Sequence, residues 1–260
     1  MPYFVFSIII VFLFGCRKSD RNRDTDATLT EDVANVNAAL FEVFLAAHEA
    51  NLSTPGIRTF TSGATMVADT LGNPKSLIVD FGSSGIASPS GRTRVGKLII
   101  YQTGYYTVAG SSCTVYFDSL FINGYNFSSS FTIVTTSTGY FLKPSNLKIT
   151  APDSSFFYLA NGTYTLVSTA GTGTVMADDD EFTVTGSLTV SGRNGNSGLC
   201  TVINTFDLLV KAICAEPVSG KLKVEPNGLA ERTVNFGSGS CDKSATATIH
   251  TEDVILTIGF

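Results

Sequence analysis

The sequence predicts a mainly β protein, an antiparallel β-sandwich or extended β-meander carrying one N-terminal amphipathic helix. Three observations predict it. Charged residues make up only 15% of the chain, while Thr, Ser, Val, Ile, Phe and Tyr recur in short runs, as residues suited to a pleated, half-buried surface do. From Ile57 onward these runs alternate with clusters of Gly, Ser, Asn, Asp and Pro, and no helical period lasts. Before that, Val33, Val36, Leu40, Val43 and Ala47 recur at helical spacing, with Phe41 and Phe44 beside them.

The elements follow in order. Tyr3 to Phe14 is an unbroken apolar run. It falls short of the roughly 20 residues of a relaxed membrane span and has the length of the apolar region of a signal peptide. No Lys or Arg precedes it, a departure from the usual basic start. The run ends in Leu13-Phe14-Gly15-Cys16, which resembles the bacterial lipobox, where a small residue precedes a Cys that is acylated before cleavage. Residues 1–15 are therefore expected to be a lipoprotein signal peptide and Cys16 the lipidated mature N-terminus. Arg17 to Ala27 is polar and charged without an apolar anchor, so residues 16–27 read as a flexible tether.

Thr28-Leu-Thr-Glu31 has capping-box spacing. A helix is expected from about Thr30 to Ala50, within residues 28–52, stopped by Ser53-Thr-Pro-Gly56. Residues 57–260 form the all-β region, divisible into halves 57–143 and 144–260. Twelve strands are expected, near Leu77–Phe81, Lys97–Gln102, Cys113–Ile122, Phe131–Thr136, Leu147–Thr150, Thr163–Ser168, Glu181–Thr189, Ile203–Lys211, Gly220–Val224, Arg232–Phe236, Ala245–Thr251 and Val254–Ile258. In Thr114 to Ile122 both alternate sets are largely apolar, which predicts cover on both faces. Ala245, Ala247 and Ile249 alternate with Thr246, Thr248 and His250, which predicts one wet face. Val79-Asp-Phe-Gly and Val234-Asn-Phe-Gly echo each other, as do Gly96-Lys-Leu and Gly220-Lys-Leu, but in opposite order, so the echo reflects shared strand-and-turn chemistry rather than a duplication.

A formal charge of −5 and a pI near 5.0 argue against nucleic acid as a partner, since phosphate binding needs a cationic surface. No HExxH, CxxC or EF-hand spacing occurs, so no cofactor and no catalytic residue is assigned, and an enzymatic role is not expected. The two histidines, His48 in the helix and His250 on a late strand, read as packing or surface residues. Asp178, Asp179 and Asp180, followed by Glu181, are a weak candidate for Ca²⁺ against the simpler reading of a solvated turn. Arg92 and Arg94 would share a strand face, open to an anionic ligand or, more simply, to solvent or nearby carboxylates. Tyr101, Tyr105 and Tyr106 are the candidate ligand platform for a glycan, weakened by the absence of Trp.

Ile78-Val-Asp-Phe-Gly, Gly91-Arg-Thr-Arg-Val-Gly-Lys97 and Phe117-Asp-Ser-Leu-Phe-Ile-Asn-Gly-Tyr125 resemble the first half of a group of uncharacterised Bacteroidota envelope lipoproteins. Glu216-Pro-Val-Ser-Gly-Lys221 and Val234-Asn-Phe-Gly-Ser-Gly-Ser-Cys-Asp242 resemble the second half. The resemblance implies a lipid-anchored protein of the cell envelope, at the outer membrane, with a binding or structural role and no assigned activity. Its partners would be the membrane, through the anchor, and a glycan or an envelope protein; the alternative reading is a carbohydrate-binding or carbohydrate-active lipoprotein. Members of the group often carry a Cys after the first Val-Asp-Phe-Gly element, whereas Ser83-Ser84-Gly85-Ile86 has none. Asp69-Thr-Leu71 and Asp118-Ser-Leu120 match the periplasmic O-glycosylation pattern of Bacteroidota, with Thr70 the better candidate because Ser119 sits in a strand expected to be buried.

Export would place Cys113, Cys200, Cys214 and Cys241 in an oxidising compartment. Three pairings are open. Cys214–Cys241 is favoured, because Cys214 ends one apolar run and Cys241 follows Val234–Phe236, with Cys113 and Cys200 left as small buried residues.

Overall fold

One helix, α1 (Thr28–Leu52), is enclosed by a sheet that coils round it. The computed structural model describes residues 24–53, 63–174 and 176–260, so Cys16, the rest of the leader and the helix stop at Pro55-Gly56 lie outside the described residues. The strands are β1 (Thr65–Asp69), β2 (Lys75–Asp80), β3 (Ile86–Ala87), β4 (Thr93–Gln102), β5 (Ser112–Ile122), β6 (Tyr125–Thr135), β7 (Gly139–Thr150), β8 (Phe157–Ala170), β9 (Glu181–Ser191), β10 (Ser197–Val202), β11 (Leu208–Lys211), β12 (Glu216–Pro226), β13 (Arg232–Ser238), β14 (Ser244–Ile249) and β15 (Glu252–Thr257). They form one antiparallel sheet that follows chain order from β1 to β15, with β3 beside β4 and β11 paired to both β9 and β12. This is the meander form of the predicted fold class. The division at residues 143 and 144 falls inside β7, and a single core joins both sides of it. The run Ile203–Lys211 is a turn followed by the short β11, while β10 supplies the paired strand before it.

Strand bulges let the sheet curl. In β5 the inward residues are Cys113 and Val115 before Ser119, and Leu120 and Ile122 after it. Ser119 has φ 50 and sits where the β5–β6 register shifts. An extra residue reverses which alternate set faces in. This corrects the expectation of cover on both faces: Tyr116 and Phe121 are exposed, and the two apolar sets belong to two phases of one strand. Opposite it, Gly96 in β4 has φ +87, and a Cβ there would lie 2.0 Å from the Ser119 carbonyl oxygen, so only glycine fits. β7 reverses phase in the same way at Asn146, with Tyr140, Leu142 and Pro144 inward before it and Leu147 and Ile149 after. Such bulges bend strands and raise twist, as a sheet wrapped round a helix requires.

The helix differs from its predicted amphipathic form. Every residue from Asp32 to Leu52 is buried, polar ones included. Strands from both ends and the middle of the sheet touch it, β2, β8, β9, β10, β12 and β15 among them, so it has no wet face to keep polar. The capping box does not form. The Asp26 carboxylate accepts the Thr28 amide at 2.9 Å, and Glu31 pairs with Arg193 at 3.1 Å. At the other end Ser53 returns its hydroxyl and amide to the Glu49 carbonyl, at 2.7 and 2.9 Å.

Candidate functional site

Buried polar side chains on an enclosed helix need partners, because an unpaired charge or amide in an apolar interior is costly. Asp32 meets Arg193, Asn35 accepts the Gly259 and Phe260 amides and Asn37 accepts the Tyr164 hydroxyl. Three further groupings, one just before α1, one at its middle and one at its C-terminal end, carry the charged and titratable groups.

At the N-terminal end, Asp24 accepts two bonds from Arg232 Nη2, at 2.9 and 2.8 Å, and one from the Ala230 amide at 3.0 Å. Arg232 Nη2 also donates to the Asp26 carbonyl at 2.8 Å. The last residues of the segment read as a tether are thus fixed, by an ion pair instead of the apolar contact whose lack predicted flexibility. Burial works to raise the Asp24 pKa, but the Ala230 and Asp26 amides and Arg232 outweigh it and hold the carboxyl below its ordinary 3.8.

In the middle, Glu42 takes Arg94 Nε and Nη2 on one oxygen, each at 2.7 Å, and Arg92 Nη1 at 3.4 Å with the Ser90 hydroxyl at 2.7 Å on the other. Arg92 Nη2 donates to Glu216 at 2.7 Å, its Nη1 to the Cys214 carbonyl at 2.9 Å and its Nε to the Phe260 carbonyl at 3.2 Å. All four charged side chains are sealed from solvent. Burial pushes the Glu42 pKa up, yet Arg94 and Arg92, aided by the Ser90 and Ser88 hydroxyls, hold it below 4.5. Arg92 and Arg94 do share an environment, but it is the interior. Their charge is met by Glu42 and Glu216, which excludes the reading of solvent-facing arginines open to an anionic ligand.

At the C-terminal end, His48 Nε2 lies 3.0 Å from Asp180 Oδ2 and Nδ1 lies 2.9 Å from the Tyr106 hydroxyl. Burial first, then Tyr140 and Cys113, pushes the Tyr106 pKa well above 10, so its hydroxyl stays protonated beside Nδ1, while Nε2 pairs with the Asp180 carboxylate. Tyr140 stacks on Tyr106 at 5.2 Å and meets His48 edge-on at 5.2 Å; Phe44 and Phe182 enclose the imidazole. This arrangement fixes rings in place rather than freeing His48 as a general base. Above it opens a cleft of about 370 Å³, rimmed by Thr107, Thr136, Ser137, Thr138, Ser168 and Thr172, with His48, Leu52 and Tyr140 at its base.

The remaining expectations fall as follows. Tyr101, Tyr105 and Tyr106 do not form one platform. Tyr106 is buried on His48, Tyr105 is 73% exposed with Lys75 over its ring, and Tyr101 packs edge-on against Tyr116. Their spacing put them together, but Tyr101 ends the outer face of β4 while the following turn carries Tyr106 inward. Asp178, Asp179 and Asp180 diverge: Asp180 turns in to His48, Asp179 accepts the Thr174 hydroxyl at 2.8 Å, and Asp178 lies beside a water-sized cavity next to Arg94. Among the described residues no group of three His, Cys, Asp or Glu side chains could hold a metal. His250 lies in the exposed β14–β15 turn with φ 56, not on the strand face. Thr70 is exposed in the β1–β2 turn, and Ser119, expected to be buried, is exposed at its bulge.

Cys214 and Cys241 are joined by a disulfide, with Cα atoms 5.4 Å apart. Cys113 and Cys200 are free and buried, and burial pushes their thiols up to about 12 and about 11, out of the reactive range. The functional groups that sequence reasoning missed are Asp24, Glu42, Glu216 and the Asp180–His48–Tyr106 chain. One signal was present for Glu42 and His48: a 25-residue helix with no Lys or Arg and an apolar run from Ala38 to Phe41 has no solvent face to give them. Among the described residues no helix is long and apolar enough to cross a membrane. No known protein family, no curated protein and no solved structure matches the chain.

Proposed function

We propose that this chain is a lipid-anchored cell-envelope protein, held at the outer membrane through Cys16, with a binding role exerted at the cleft above His48. The observation that carries it is the order of the chain: an apolar leader ending in Leu13-Phe14-Gly15-Cys16, a short polar stretch, then a clamp at Asp24 on the body of the fold. Acylation at one Cys supplies apolar burial for a bilayer, and the polar stretch carries the chain to the folded part. The cleft has the size of a small-ligand site and lies over a rigid base of paired side chains. Exposure of Thr70 suits it to O-glycosylation within the same compartment.

Cys16→Ala is the test of the anchor. The variant is expected to lose incorporation of labelled fatty acid and to accumulate as precursor or released protein. Undiminished labelling would overturn the proposal.

A further inference from the structure

The cleft has a chemistry and a position, and both bear on what enters it. The hydroxyls of Thr107, Ser137, Thr138, Ser168 and Thr172 make no hydrogen bond among the described residues, whereas Thr135 donates to the Tyr106 carbonyl at 2.5 Å and Thr136 accepts the Thr138 and Gly139 amides. Five free hydroxyls, each donor and acceptor, therefore ring the opening. Among the described residues its lining carries no Asp, Glu, Lys or Arg, so what these residues offer a ligand is hydroxyls rather than fixed charges. The base is aromatic, with Tyr140 and His48 held by Tyr106 and Asp180.

The position follows from the helix. His48 and Leu52 at the cleft belong to the last turns of α1, and the Asp24–Arg232 clamp precedes its first turn. At 1.5 Å per residue, the rise from Thr28 to His48 is about 30 Å. Eight residues lead from Cys16 to Asp24, and at full extension they reach about 29 Å. A tether attached at one end of the body cannot run back along its length and also turn the far mouth onto the bilayer.

We infer that the cleft is presented away from the membrane and takes a neutral, polyhydroxylated ligand such as an uncharged glycan, not a lipid headgroup. This rests on the proposed binding role at the cleft and on the anchor at Cys16. Interleaved hydroxyls match a sugar's own donors and acceptors.

The full-length lipoprotein, solubilised in detergent, would be applied to an array of neutral and anionic oligosaccharides and separately to phospholipid vesicles. Binding to neutral sugars is expected, and Thr138→Val combined with Ser168→Ala should weaken it about tenfold or more without moving the thermal midpoint. Preference for anionic sugars or headgroups would overturn the ligand class, as would neutral binding indifferent to the double variant. If no sugar binds, the ligand class fails, and a small-molecule thermal-shift screen sensitive to the same variant decides whether the cleft remains a binding site.

For orientation, Ser137→Cys and Leu229→Cys would be labelled with a fluorophore in proteoliposomes holding a quencher at headgroup depth. The Leu229 label, in the turn beside the clamp, should be quenched more strongly than the Ser137 label. Equal or reversed quenching overturns the orientation. Protein that does not associate with liposomes at all would overturn the anchor instead.

Discussion

The middle and the C-terminal end of α1 solve the same problem with different partners. Around Glu42 the helix meets full charges, two arginines and a second glutamate, closed off on every side. Around His48 it meets the Asp180 carboxylate, the Tyr106 hydroxyl and aromatic rings, with a cleft above. A sealed ion network is committed to the fold, because any ligand would have to displace a partner of a buried charge. Neutral rings beneath an open cleft hold their shape without that commitment. The difference teaches where to look for function in this molecule: where polar groups are fixed but the surface above them is not used.

The sharpest way to break the comparison is to neutralise the middle. Glu42→Gln leaves Arg92 and Arg94 buried with less than their share of negative charge, and removing one partner of such a network costs about 3–5 kcal/mol. Chemical denaturation should show a loss of that size. A loss under 1 kcal/mol would mean that the network is not sealed. The pH dependence has a definite sign. Glu42 is held below its ordinary 4.5 in the folded chain, so its contribution is complete above about pH 4.5 and is lost as pH falls through the depressed value. That acid-limb dependence should be missing from the variant.

The disulfide borders the same network, because the Cys214 carbonyl accepts Arg92 Nη1. Its loop closes over a sequence separation of 27, for which restriction of the unfolded chain contributes about 3.5 kcal/mol. Cys214→Ser with Cys241→Ser should lose about that much, and dithiothreitol should reproduce the loss in the parent and have no effect on the variant. Dithiothreitol sensitivity that survives in the variant would assign it to Cys113 or Cys200. Sugar binding at the cleft should persist under both treatments, since Thr138 and Ser168 rim the cleft at the C-terminal end of α1 and the disulfide borders the network at its middle.

How much of this was legible in the sequence depends on whether a signal was local. Strand content was, because β-branched and aromatic runs between turn residues need no partner to be recognised; β4, β5, β9 and β13 fall where such runs are. The phase of β5 was not, because one bulge at Ser119 makes two alternations look like a strand covered twice. The helix was legible as a helix, while its burial all round depended on a sheet and chain end far away in sequence, as the bond from the Gly259 amide to Asn35, with a separation of 224, illustrates. The three adjacent tyrosines fail as a platform for the same reason: sequence spacing places backbones, and the turn after Gln102 decides where each ring goes. Glu42 with Arg92 and Glu216 could not be paired from spacing at all.

The N-terminal clamp is the third environment of the helix and should be the gentlest to remove. Asp24 is only partly enclosed, but Arg232, which it neutralises, is 1% exposed, and Arg232 keeps its bonds to the Asp26 and Ala230 carbonyls when Asp24 is changed. Asp24→Asn retains one oxygen for the Ala230 amide and loses the charge, so the cost should be about 1–2 kcal/mol, less than either change above. What distinguishes it is locality. Amide exchange should quicken at Thr28 and Ala230, while amides of β6 and β7 around the cleft stay as protected as in the parent. The Asp24 carboxyl, held below 3.8 when folded, should make the parent lose this local protection as pH falls through that depressed value, and the variant should show no such step. If exchange quickens equally at both ends of α1, the clamp is part of the global fold and cannot serve as a local point of attachment between anchor and body.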